Sequence, residues 1–193
     1  MPNGDILVHA GDITMFGEGV QVRSFNEWAK ILPHRLKICT LGNHDVFGEL
    51  TADGYQETLT EWQCLVDELF VDTVSGLRFY GSPYTPEFGG DRWNYQLYGA
   101  NQRIAKWSAI PHDLDFLITH GPAFGILDKT LEGDFVGDPD LQHAILRTNT
   151  KRHVCGHIHE GYGQVTRFAY DFYNASICTR MYKPTNAPIV VDL

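Results

Sequence analysis

Basic residues are scarce in this chain, 15 against 24 acidic, and no apolar run approaches the roughly 18 residues of a membrane span. The formal net charge of -9 disfavours a nonspecific nucleic-acid surface, because displacing counterions from phosphates needs a basic face. It leaves nucleotide-sized substrates open, since bound divalent cations reverse the local field. Cysteine is also sparse: four residues, at 39, 64, 155 and 178, without a CxxC spacing. Two of them, Cys39 and Cys155, fall inside strand-like runs, which favours reduced, buried thiols in a cytoplasmic protein over a disulfide framework. No secretory segment or membrane partner is expected, so the acceptor-like Asn174-Ala175-Ser176 reads as a chance match. There is no internal repeat, low-complexity tract or linker composition. The 193 residues, 43% of them hydrophobic, are expected to form one domain, 1–193.

Short aliphatic runs closed by Gly or a polar residue stand at Asp5 to His9, Leu36 to Leu41, Leu114 to Thr119 and His153 to Cys155, as buried strands do. Helical spacing falls between them. Val22, Phe25, Trp28, Ala29 and Leu32 share a face that Pro33 ends; Leu59, Trp62, Leu65, Val66 and Leu69 repeat the pattern. Ile104, Trp107 and Ile110 before Pro111 form a third instance, and Leu141 to Leu146 a weaker fourth. The tail changes to strand-like pieces, Gly163 to Phe168, Asp171 to Asn174 and Ile189 to Leu193, which predict an antiparallel closing sheet. Between Gly81 and Gly99 the chain is rich in Gly, Pro and aromatics and predicts a long loop lining a site. The fold class is therefore α/β, with two sheets flanked by helices.

Each predicted strand ends on a polar motif: Gly11-Asp12, Gly42-Asn43-His44-Asp45, His120-Gly121-Pro122 and Gly156-His157-Ile158-His159. Side chains at strand carboxyl ends converge on one crevice, so these motifs bring together carboxylate, amide oxygen and imidazole, the donors that a divalent cation takes. Asp12 can bridge two ions, Asn43 offers a neutral oxygen, and His120, His157 and His159 offer nitrogens. His44 is left as a general acid for a leaving group, with Asp45 beside it expected to fix its tautomer. Taken singly, Gly-Asp and Gly-Asn are ordinary turn dipeptides and a lone histidine is ordinarily a core or surface residue. Their joint occurrence, in order and each after a strand, carries the reading. His9, three residues before Asp12, is expected to point to the opposite face.

The order Gly-Asp, Gly-Asn-His-Asp, Thr-His-Gly-Pro, Gly-His-Ile-His resembles the calcineurin-like metallophosphoesterase superfamily. Leu7 to Asp12, Phe79 to Pro86, His157 to Gly163 and Asn174-Ala175-Ser176 resemble its metallophosphoesterase-domain phosphodiesterase branch over nearly the whole chain. The resemblance implies a four-layer α/β sandwich of two mixed sheets flanked by helices. It also implies hydrolysis of phosphodiesters, cyclic nucleotides included, by a metal-activated hydroxide. Manganese, iron or zinc would be held by Asp12, Asn43, His120 and His157, with His159 serving a second ion and His44 protonating the leaving oxygen. An opening strand carrying Asp-x-His, which the family uses for that second ion, has no counterpart before Asp12. One complete ion site and one weak one are thus expected, with the first family strand missing. The alternative is a nearly inactive phosphate- or nucleotide-binding protein that keeps one metal. The strand at Asp5 to His9 is also expected to present an open edge that favours a homo-oligomer.

Overall fold

The computed structural model describes residues 1–48 and 50–193. In chain order its elements are β1 (Ile6–Ala10), α1 (Gly19–Lys30), β2 (Leu36–Thr40), α2 (Ala52–Thr58), β3 (Gln63–Cys64), β4 (Glu68–Val71), β5 (Arg78–Ser82), β6 (Thr85–Pro86), β7 (Gln96–Leu97), α3 (Gly99–Ser108), β8 (Phe116–Thr119), α4 (Pro139–Thr148), β9 (Arg152–Cys155), β10 (Gly163–Arg167) and β11 (Tyr170–Asn174). A single 3-10 turn, His159–Gly161, follows β9.

Strands β1, β2 and β3 form one sheet in that order, parallel throughout. The second sheet has the order β10-β11-β9-β8-β5-β4. Its inner strands β11, β9, β8 and β5 are mutually parallel, and the edges β10 and β4 are antiparallel. Of the two sheets expected to be mixed, only the larger one is.

The period of two along a strand sorts side chains to opposite faces, and here it divides the core into three slabs. Between α1, α2 and the small sheet lie Val22, Ala29 and Tyr55 against Cys39 and Leu41. Between the sheets, Ala10 and Ile38 meet Phe79, Phe116, Ile118, Val154 and Tyr173. Outside the large sheet, Tyr80, Leu117 and Phe172 pack on Trp107, Leu141, Ala144 and Ile145 of α3 and α4. Neighbours in sequence such as Phe79 and Tyr80, or Leu117 and Ile118, thus serve different slabs, and the result is a four-layer sandwich.

Helix ends follow their capping chemistry. Asp138 caps α4 by accepting from the Asp140 and Leu141 amides (2.8 and 3.1 Å), Pro139 opens the first turn, and Asn149 closes the helix in the left-handed region at φ 54°. The other Asp138 oxygen accepts from Trp107 Nε1 at 2.7 Å, locking α3 to α4.

Two expected elements do not form. Leu59, Trp62, Leu65, Val66 and Leu69 do not make a helix: α2 ends at Thr58, Gln63–Cys64 pairs with β2, and Glu68–Val71 pairs with β5. Their apolar spacing arises from a turn and two short strands that feed different slabs, with Leu59 and Trp62 under the helices and Leu65 between the sheets. Pairing with existing strands overrides the local period. The tail at Ile189 to Leu193 makes no ladder, and Val190 and Leu193 stay 61% and 67% exposed.

His153 is buried in the core and His9 is half-buried. His9 lies edge-on to Phe25 at 5.0 Å between ring centroids, on the face of β1 turned to α1. Burial pushes their pKa values down from 6.5, to about 4 for His9 and about 3 for His153. Both are therefore neutral when folded and take up protons on unfolding in acid. Because their folded pKa values are depressed, the stability they support is complete above about pH 6.5 and falls as the pH drops. The slope is about 1.4 kcal/mol per pH unit for each histidine, down to about pH 4 for His9 and about pH 3 for His153. Urea titrations across this range check it, and His153→Gln should flatten the slope.

Candidate metal centre

Asp12 follows β1 through Gly11, and both residues have positive φ, 94° for Gly11 and 56° for Asp12. A Cβ on Gly11 would sit 2.5 Å from the Leu41 carbonyl and 2.7 Å from His120 Nδ1, so only glycine lets the loops approach this closely. Gly42 is constrained in the same way, since a Cβ there would collide with Asp12 Oδ1. Local sequence thus permits the strand ends to converge.

The convergence centres on His120, which is 1% exposed. Its Nδ1 lies 2.8 Å from the Ala10 carbonyl, an acceptor only, so Nδ1 carries the proton and Nε2 presents its lone pair. That lone pair faces two more acceptors, Asn43 Oδ1 at 2.9 Å and Asp12 Oδ1 at 3.3 Å. Three lone-pair atoms facing one another call for a cation. Ligands about 2.1 Å from one ion and at right angles stand about 3 Å apart, which is the spacing seen. Without an ion, a proton fills the role: burial works against charging His120, yet the Asp12 carboxylate beside it holds its pKa above the ordinary histidine value. Burial would likewise raise Asp12, but His120 and the His44 amide hold its carboxyl well below the usual range.

His157, at φ 64° after Gly156, sets its ring 5.0 Å from that of His120 and 4.7 Å from Phe88. Desolvation and then the neighbouring His120 push its pKa down to about 3, so it is a neutral donor. Among the described residues no three His, Cys, Asp or Glu side chains form a metal-holding group by themselves. The amide oxygen of Asn43 is what completes the convergence on His120 and Asp12. His159 lies in the 3-10 turn, its Nδ1 donating to the Thr179 carbonyl at 3.0 Å and its ring edge-on to Tyr182.

His44 sits beside this cluster. Its backbone N–H donates to Asp12 Oδ1 at 3.0 Å, and its Nδ1 lies 2.8 Å from the Met15 carbonyl. The carbonyl fixes the Nδ1–H tautomer and leaves Nε2 for another partner. Asp45 does not play the part expected of it. Its fully buried carboxylate accepts from the amides of Ile13 (3.2 Å), Thr14 (2.9 Å) and Gly42 (2.9 Å) and from the Thr14 hydroxyl (2.9 Å). Each of its oxygens takes two of these donors, and the His44 Nδ1 is engaged by the Met15 carbonyl instead. Asp45 instead staples the Asp12 loop to the Asn43-His44 loop. Burial, then repulsion from Asp12, raises its pKa to about 6.

Three supporting residues escaped the sequence reading. Thr119 donates to the Gly121 carbonyl and accepts from His153 Nε2, both at 2.6 Å, closing the turn that aims His120. Asn174, fully buried, donates to the Ile158 and Leu127 carbonyls at 2.8 and 3.1 Å and so shapes the His157 to His159 turn; it is no surface glycosylation acceptor. Gln96 accepts from the Phe88 amide at 2.6 Å and donates to the Gly90 and Trp93 carbonyls. The loop 81–99 is thereby ordered, through Gln96 and the short β6-β7 pairing, where no element was expected. Thr119 stood in the Thr-His-Gly-Pro motif and Asn174 in the Asn174 to Ser176 resemblance, neither with a role assigned, and Gln96 carried no signal.

That loop builds an aromatic wall. Trp93 lies 4.6 Å from the His44 ring, 5.5 Å from Phe47 and 5.8 Å from Phe88, while Tyr182 reaches His44 from another side at 6.3 Å.

Comparison with known proteins agrees with this geometry. The family model described as calcineurin-like phosphoesterase matches residues 1–161. The human metallophosphoesterase domain-containing protein 1 is 39% identical over 220 residues, covering 100% of this chain and 66% of that protein. A UPF0046 protein of Caenorhabditis elegans is 33% identical over 205 residues, covering 98% of this chain and 68% of its own. The chain therefore spans about two thirds of the length of these relatives. The crystal structure of the protein TT1561 of Thermus thermophilus superposes with a TM-score of 0.57 at 14% identity, over 89% of this chain and 76% of that one, a likeness of fold alone. Sandwich, strand-end motifs and family match agree, and the chain belongs to the calcineurin-like phosphoesterase family.

Proposed function

We propose that this chain hydrolyses phosphodiesters with the help of a divalent cation, manganese, iron or zinc, held by Asp12, Asn43, His120 and His157. The observation that carries the proposal is the meeting of three lone-pair atoms at His120 Nε2, with no shared proton on a neutral ring. A divalent ion supplies Lewis acidity to a phosphoryl oxygen and makes water a nucleophile at neutral pH.

The rest is the work of the chain's own groups. His120 Nδ1–H on Ala10 and the His44 amide on Asp12 fix the donor atoms before any ligand arrives. As the imidazolium, His44 would keep its Nδ1–H on the Met15 carbonyl and give its Nε2 proton to the leaving oxygen as the general acid. Trp93, Phe88 and Phe47 offer a planar leaving group a surface beside His44, which supports a nucleotide-like substrate, cyclic nucleotides included.

Among the described residues Asp12 and His159 are the donors offered to a second ion, so about one tightly held ion per chain is expected after dialysis. Elemental analysis, paired with turnover of bis(4-nitrophenyl) phosphate under manganese, tests the reading. Two retained ions would show that His159 gains a further donor. Tight nucleotide binding without turnover would favour a binding protein.

A further inference from the structure

We propose that Tyr182 is a specificity-determining residue, forming with Trp93 a slot over His44 that takes a planar aromatic leaving group. The proposal rests on the phosphodiesterase reading, in which the leaving oxygen meets His44 Nε2. Whatever flanks that imidazole therefore meets the leaving group.

His44 itself is only 9% exposed, and aromatic rings rim it. Trp93 stands 4.6 Å from the imidazole, Tyr182 6.3 Å and Phe16 6.4 Å, centroid to centroid. Among the described residues Trp93 and Tyr182 form no ring pair with each other, so a gap separates them above His44. Trp93 is held from behind. Phe88 stacks on it at 5.8 Å, Phe47 meets it edge-on at 5.5 Å, and the neighbouring Asn94 donates to the Asp45 carbonyl at 3.1 Å.

The hairpin that carries Tyr182 closes without its ring. The Tyr182 amide donates to the Thr179 carbonyl (2.7 Å), the Thr179 amide to the Lys183 carbonyl (2.9 Å), and Asn186 to the Ile177 and Ser176 carbonyls (3.0 and 2.9 Å). Arg180 pins the hairpin to Glu132 at 2.8 Å. At φ 55° the tyrosine occupies the left-handed region, where glycine or asparagine would serve the turn with less strain. Nor is the ring a core residue, since it is 54% exposed. What it touches is the site, edge-on to His44 and, at 5.4 Å, to His159. A strained, exposed aromatic set against site histidines points to a ligand. Aromatic walls favour another flat π-system by stacking or edge-on contact, whichever ring is offered, so the slot selects planarity over identity.

Two methyl phosphodiesters test this, one with a phenol as leaving group and one with a fluorinated alkyl alcohol of matched basicity, so that both ask the same of His44. kcat/KM is measured under manganese. The unmodified protein should favour the aryl diester by about tenfold or more; Tyr182→Ala should cut that preference about tenfold, chiefly through KM, and Tyr182→Phe should keep it. An unchanged preference in Tyr182→Ala overturns the proposal. So do equal losses on both diesters, which would make the ring a support for the histidines. Should neither diester turn over, calorimetry of phenyl phosphate and methyl phosphate on the manganese-loaded proteins decides. An aryl preference in binding that falls in Tyr182→Ala upholds the slot while the phosphodiesterase reading fails; equal affinities in the unmodified protein refute the slot.

Discussion

Replacing His44 with alanine should lower phosphodiester turnover by on the order of 10² to 10⁴, the range for loss of a general acid, while bound metal stays nearly unchanged. The side chain makes no hydrogen bond to the Asn43 and Asp12 oxygens that meet His120; its Nδ1 is spent on Met15, and its backbone N–H is what bonds Asp12. Alanine retains that N–H. The deficit should shrink for substrates whose leaving group is already a weak base, because such a group needs the proton least. A graded series of aryl phosphodiesters measures this: a steeper dependence on leaving-group basicity in the variant confirms the role. Loss of metal from His44→Ala would instead make this imidazole a ligand.

Replacing Asp45 should be the most damaging single change to the fold around the site. Asp45→Ala strands the amides of Ile13, Thr14 and Gly42, and each buried donor left unpaired costs about 1–3 kcal/mol. A loss of at least about 3 kcal/mol is expected by urea denaturation, together with weakened metal retention, since Asp12 and Asn43 would no longer be held in register. Asn at this position keeps one acceptor oxygen but turns an NH₂ toward a donor, so it should fall between. The distinction from His44 is clear: His44→Ala lowers turnover in a stable, loaded protein, whereas Asp45→Ala lowers stability and loading together.

The two histidine-rich motifs and the Gly-Asp turn were legible in the sequence because strand periodicity delivers each polar end to the same rim, and that rim is where His120 meets Asp12 and Asn43. What those residues do to one another was less legible. Adjacency in sequence suggested that Asp45 orients His44, but consecutive residues in a turn point apart, and the orienting group proves to be a carbonyl, Met15, that no motif could reveal. Leu59 to Leu69 imitated a helix because a turn followed by two short strands happened to place apolar residues three and four apart. The loop 81–99 looked shapeless because a polar side chain, Gln96, supplies bonds that a backbone ladder supplies elsewhere. Asn174 carried a signal only through resemblance, since its work is to satisfy carbonyls from segments distant in sequence.

The most direct test of the account is phosphodiester turnover measured against metal loading in the unmodified protein and in His120→Ala. The account predicts hydrolysis of bis(4-nitrophenyl) phosphate that stops on chelation, returns when manganese is added, and is absent with little bound metal in His120→Ala. Turnover that survives complete chelation, or a His120→Ala protein that hydrolyses as fast as the original, would contradict it.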